Sequence, residues 1–217
     1  MPIRHRVRIR FRKEGDLRLL SHRDLARAME RLFRRAEMPL GMSEGFHPKP
    51  RMSFPLALAV GIASIDEVME LELTEELSGE QVCEKLQPHL PAGLSLNRVE
   101  VMPLGQKKAV VCRVTFEIEL PADRHGQAAQ SIAELLAAAS HKVAREEGKG
   151  TVDLRPYIEG LSIDGDKLTM CLRVTPLGTA RPREVLAALG LADLEQQGFC
   201  LTRTVVHLET PNEKVIA

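Results

Sequence analysis

Arginine occupies positions 4, 6, 8, 10 and 12 of the opening stretch MPIRHRVRIRFRKEG, and Ile3, Val7, Ile9 and Phe11 fall between them. A period of two belongs to a β-strand, whose successive side chains point to opposite faces. One face of this strand is therefore core, and the other is a ladder of guanidinium groups. A cationic ladder of that density demands either acidic neighbours within the fold or an anionic partner outside it, which narrows both the architecture and the function of the chain.

Charge is distributed to match that demand. The 217 residues have a formal net charge of zero, yet residues 1–51 carry 14 Lys/Arg against 6 Asp/Glu, and residues 52–101 carry 2 against 9. Such a split indicates either a basic surface for a polyanion or pairing between the two segments. The longest apolar run, FPLALAVGIA, is too short to span a bilayer, and no apolar signal core follows the basic start, so no membrane association and a cytoplasmic location are expected. Cys83, Cys112, Cys171 and Cys200 are scattered without a C-x-x-C pair. They read as small apolar residues, and neither a metal site nor a cofactor is expected.

The order of elements repeats. After the first strand, over about 3–12, Ser21 and Asp24 form a helix start, and Leu25, Met29, Leu32, Phe33 and Ala36 follow at helical spacing before Pro39. A proline-broken segment leads to a strand over 68–73, with Met69, Leu71 and Leu73 on one face and Glu70 and Glu72 on the other. Ser78-Gly-Glu-Gln81 is a capping box for a short helix ending near Pro88, and a strand over 94–101 closes the first half. The second half offers a strand over 110–120, a helix over 125–140 burying Ala128, Ile132, Leu135, Leu136 and Ala139, strands near 141–145 and 168–174, a helix opened by Pro182 and a last strand over 200–208. This order predicts an α+β chain of tandem ferredoxin-like (βαββαβ) domains with antiparallel sheets, residues 1–104 and 105–217. In that arrangement the first strand is central, and the ladder stands on the open face away from the helices.

Candidate site residues follow from charge. Arg4, Arg6, Arg8 and Arg10 outnumber Glu70 and Glu72 and are assigned to phosphate contact, with Arg27 and Arg31 of the first helix and His47, Lys49 and Arg51 of SEGFHPKPR extending the track. Prolines at 48, 50 and 55 stiffen that segment, so its donors are presented at small ordering cost. Arg155 of DLRPYIEG and Arg181 of GTARP are candidates for a second anion site beside a helix start. His47 and His22 together have the chemistry of a metal-independent endoribonuclease, a general acid and a general base. No Walker loop, zinc-protease or nucleophile-elbow motif is present, and no catalytic residue is assigned. With aromatic residues at 3%, nucleic acid is expected to be held by backbone and shape rather than by stacked bases.

The stretch LSHRDLARAMERLFRRAEMPLGMSEGFHPKPRMSFPLALAVG, with DLRPYIEG and GTARP, resembles the radical-SAM-linked protein family, an uncharacterised group known as DUF2344. The resemblance covers most of the chain. It implies a radical SAM protein as partner and an RNA or ribosomal setting, and it carries no catalytic residues over. This chain lacks the clustered cysteines that hold a radical SAM cluster, so it is expected to be a non-catalytic RNA-binding adaptor that positions RNA or a ribosomal component for the radical SAM enzyme. An endoribonuclease and a protein-only interaction subunit are the alternatives.

Overall fold

The structure, a computed structural model, describes residues 4–145 and 150–209. Ile3 of the opening alternation lies outside the described residues. The chain divides into two compact units, Met1–Val110 and Val111–Ala217. Both are mixed α+β with antiparallel strand pairing, and there are four α-helices among the described residues.

The first unit runs β1 (His5–Lys13), α1 (His22–Arg35), β2 (Met52–Ser53), β3 (Ala63–Leu73), α2 (Gly79–Leu86) and β4 (Leu94–Met102). Its strands lie in the order β4, β1, β3, with the short β2 on β3. The alternation of β1 is realised: Val7, Ile9 and Phe11 are 0%, 1% and 0% exposed, and they join Met69, Leu71 and Leu73 of β3 in one core. Leu25, Met29, Leu32 and Phe33 of α1 and Val82 and Leu86 of α2 cover that core. Each such side chain contributes about 1.5–3 kcal/mol by leaving water.

Local chemistry sets the helix ends. The Ser21 hydroxyl accepts from Asp24 N at 3.2 Å and donates to the Asp24 carboxylate at 2.6 Å, satisfying an orphan amide of the first turn. Glu37 takes a left-handed conformation, φ 49°, and Met38 N donates back to Phe33 O at 3.0 Å. That closes α1 at Arg35, four residues before Pro39. The Ser78–Gln81 capping box forms in full. α2 then lies so close to β4 that a Cβ on Gly79 would meet Val99 O at 2.6 Å.

The second unit runs β5 (Val111–Glu119), α3 (His125–Ala137), β6 (Lys142–Ala144), β7 (Thr151–Asp153), β8 (Ile158–Asp164), β9 (Lys167–Arg173), α4 (Pro182–Ala188) and β10 (Thr202–Leu208). Its main strands lie in the order β10, β5, β9, β8. The strand expected near 141–145 forms as β6, but it pairs only with β7 in a separate two-stranded ribbon. The fourth place in the sheet goes to β8, joined to β9 through Gly165 at φ 58°. Asp164-Gly165 between alternating apolar residues is the signal for that hairpin. α3 stops at Ala137, so Leu136 at its end is 36% exposed rather than core, and Ala139 is exposed beyond it. β3 starts at Ala63, five residues before the expected start at Val68, which brings Asp66 into the strand.

Candidate functional site

Each ladder arginine has a carboxylate of the first unit beside it. Arg8 and Glu70 face each other in register and pair at 2.9 Å. Arg6 reaches the other oxygen of Glu70 at 3.6 Å, Arg4 reaches Glu72 at 3.1 Å, Arg10 holds Asp66 at 2.6 Å and Arg12 lies 3.6 Å from Glu14. The face is also not open where Arg6 and Arg8 stand. Gln106 O accepts from Arg6 Nη2, and Ala109 N donates to Glu70 Oε1 at 3.1 Å, so the segment after β4 lies against the ladder. The side chains of Arg6, Arg8 and Glu70 retain 16%, 12% and 2% exposure. The early start of β3 supplies Asp66, a neutraliser that a strand beginning at Val68 leaves out.

At the end of the ladder the proline-rich segment closes a cleft of about 360 Å³ lined by Arg4, Arg6, Glu44, Arg51, Glu72 and Leu104. A smaller hollow of about 180 Å³ adds Glu70 and Lys108. Arg51, predicted from a loop, thus meets Arg4 and Arg6, predicted from a strand. Glu72 is shared by Arg4 at 3.1 Å and Arg51 at 4.0 Å. Lys108 of the smaller hollow is a residue that sequence reasoning missed, because it stands where apolar periodicity lapses.

Arg27 and Arg31 do not extend this track. They project from α1, which packs on the face of β1 opposite the arginines, so the sheet separates the two basic rows. On the exposed side of α1 stand Arg23, Arg27, Arg31, Arg34 and Arg35. Arg27 pairs with Asp24 at 3.4 Å and Arg34 with Glu30 at 3.0 Å. Arg23, Arg31 and Arg35 have no ion-pair partner among the described residues.

The two histidines are placed in different settings. The His22 ring packs edge-on against Phe54, centroids 5.2 Å apart. His47 is exposed in the loop that Ser43 and Lys49 close through Ser43 N to Lys49 O, 2.8 Å, and Lys49 N to Ser43 Oγ, 3.0 Å. They share no hydrogen-bond partner among the described residues.

In the second unit Arg155 and Arg181 serve different contacts. The guanidinium of Arg155 donates to Ala138 O at 3.1 Å, Leu136 O at 3.3 Å and Ile158 O at 3.3 Å, clasping the end of α3. Asp153 accepts from His141 N at 2.8 Å and Arg155 N at 3.1 Å. The bond from His141, then that from Ser140, holds its carboxyl below the usual range. Arg181 precedes α4, where the acceptor is the protein's own Glu184, bound by Arg145 at 2.7 Å and 3.0 Å and by Arg181 N at 2.8 Å. Burial pushes Glu184 up, but these bonds outweigh it and its carboxyl lies below its ordinary value.

Residues 6–182 match the profile of a bacterial family, DUF2344, described as an uncharacterized protein conserved in bacteria. The chain belongs to this family. No curated protein matches it. The DUF2344 match takes in β1, α1, the proline-rich loop and the second unit as far as the first residue of α4. It therefore contains every candidate residue except Arg4. No helix among the described residues is long and apolar enough to cross a membrane.

Proposed function

We propose that this DUF2344 chain is a non-catalytic RNA-binding adaptor, built of two ferredoxin-like domains, that positions RNA or a ribosomal component for a radical SAM modifying enzyme. The strand orders β4, β1, β3, β2 and β10, β5, β9, β8 support the domain reading, since each sets the first strand of its unit between the last and the third. The observation that carries RNA binding is the exposed side of α1: five arginines against two carboxylates, three of the five without an ion pair among the described residues. Like charges four apart on a helix cost a few tenths of a kcal/mol each, and a phosphate backbone relieves that repulsion by displacing its own counterions. The ladder is the weaker candidate because its charge is met inside the fold. The radical SAM partner rests on the family resemblance alone.

A ribonuclease that uses His22 and His47 as its acid and base needs both imidazoles on one phosphate, and their separate settings favour the adaptor instead. Crosslinking in cells followed by sequencing of bound RNA tests the proposal. Enrichment of a defined RNA that is lost in Arg23→Gln/Arg31→Gln/Arg35→Gln is expected. A protein that captures a radical SAM enzyme but no RNA would overturn RNA binding in favour of the protein-only subunit, and RNA cleavage that vanishes in His47→Ala would establish the nuclease.

A further inference from the structure

Phe46 is 102% exposed, an aromatic ring standing wholly in water at the tip of the loop between α1 and β2. The loop beneath it is built rather than loose. Met42 bridges Pro50, Ser43 and Lys49 exchange two bonds, and the neck is stitched to β3 by Gly41 N to Glu72 O at 2.8 Å and Glu72 N to Arg51 O at 2.9 Å. Gly45, at φ 118°, makes the turn that a side chain would strain. Pro48 and Pro50 remove further freedom. A ring displayed in this way loses little entropy when something covers it.

The groups beside the ring indicate what that is. His47 and Lys49 are exposed, and Lys49 has no ion-pair partner among the described residues, whereas Arg51 at the neck is already met by Glu44 at 3.7 Å and Glu72 at 4.0 Å. An aromatic face beside an ammonium group and an imidazole fits a nucleotide, whose base stacks on the ring while its phosphates accept from Lys49 and His47. Anchors of protein interfaces sit instead within an apolar core that excludes water, and the chain neighbours of Phe46 are Gly45, His47 and Pro48.

We propose that Phe46 is a stacking platform for an unpaired nucleobase, with His47 and Lys49 holding the adjacent phosphates. This rests on the RNA-binding reading and sharpens it: the ligand is single-stranded at this point, and the low aromatic content conceals one stacking site rather than excluding any. The chain contains no tryptophan, so Phe46→Trp creates a single fluorescent reporter at the proposed contact. The variant is titrated with a mixed-sequence single-stranded RNA of about ten nucleotides and with the blunt duplex of the same sequence, binding being followed separately by anisotropy of the labelled RNA. We expect the single strand to quench the indole as anisotropy rises, and the duplex to bind without quenching. Phe46→Ala should weaken single-strand binding about tenfold, leave duplex binding unchanged and leave the urea midpoint where it was. RNA that binds with an unchanged indole spectrum, and with full affinity in Phe46→Ala, would overturn the platform while leaving RNA binding standing. No RNA binding at low salt would overturn both, and quenching by a radical SAM protein in the absence of RNA would assign Phe46 to a protein pocket.

Discussion

The first unit carries two rows of five arginines, on opposite sides of one sheet, and the fold treats them differently. Along the ladder from Arg4 to Arg12 each guanidinium has a carboxylate within 4.0 Å, and Glu70 at the centre is 2% exposed. On α1 two of five have such a partner, and both of those guanidiniums are more exposed than any on the ladder, at 65% and 55%. Arginine density alone therefore says little about ligand binding. What matters is whether the neighbouring strand or the next helical turn returns the charge, because a charge neutralised in a half-buried network has little left to offer a polyanion.

The sharpest consequence of that difference is in stability. Removing Arg8 leaves Glu70 buried with only Arg6 at 3.6 Å and the Ala109 amide. Arg8→Gln should therefore cost about 3 kcal/mol, read from the urea midpoint of the intact chain. A loss below about 0.5 kcal/mol would place the pair among surface ion pairs and erase the contrast with α1.

The second unit supplies an intermediate case. Glu159 accepts from Arg173 at 2.8 Å and Arg113 at 3.3 Å, a shared carboxylate like Glu70 but with 24% exposure. The hydrogen bond from Arg173 leads, burial opposes it, and the bond from Arg113 adds to it, so the carboxyl is held below its ordinary value. A depressed carboxyl gives stability that is present above its unfolded pKa and is lost as pH falls through the folded one. Glu159→Gln should thus cost less than about 1 kcal/mol at neutral pH after solvent screening, and the difference from the parent should vanish under acid conditions. A difference that persists there would show that packing, not charge, supplies the effect.

Much of this was legible in the sequence. The period-two alternation located β1 and its buried face, Ser21 and Ser78 located two helix starts, and the partners Glu70 and Glu72 were visible from their own alternation. The balance of the ladder was not legible, because it depends on Asp66 arriving through five extra residues at the start of β3 and on Gln106 and Ala109 folding back. Both are tertiary events in stretches without clear periodicity. Apolar residues on the facing sides of β1 and α1 imply that the sheet separates the two basic rows, so the single track expected from both divides in two. The hairpin turn at Asp164-Gly165 is legible in the sequence, whereas 141–145, His-Lys-Val-Ala-Arg, offers only Val143 and Ala144 as apolar residues and pairs with β7 in the separate ribbon.

The smallest stability effect belongs to the row on α1. Arg31→Gln/Arg35→Gln removes two like charges spaced four apart and no ion pair of the described residues, so stability should stay level or rise by a few tenths of a kcal/mol. A fall of about 1 kcal/mol or more, measured by urea titration, would mean that these side chains hold structure.

The claim that α1 rather than β1 faces the polyanion is tested most directly by the salt dependence of RNA binding in two variants that lose the same charge. Arg31→Gln/Arg35→Gln and Arg10→Gln/Arg12→Gln each remove two arginines, so any general attraction falls equally. For a single-stranded RNA the slope of log binding constant against log salt should shallow by about 1.4 in the α1 variant, about 0.7 for each lost phosphate contact, and should be unchanged in the β1 variant. A slope that shallows in the β1 variant and holds in the α1 variant would contradict the account.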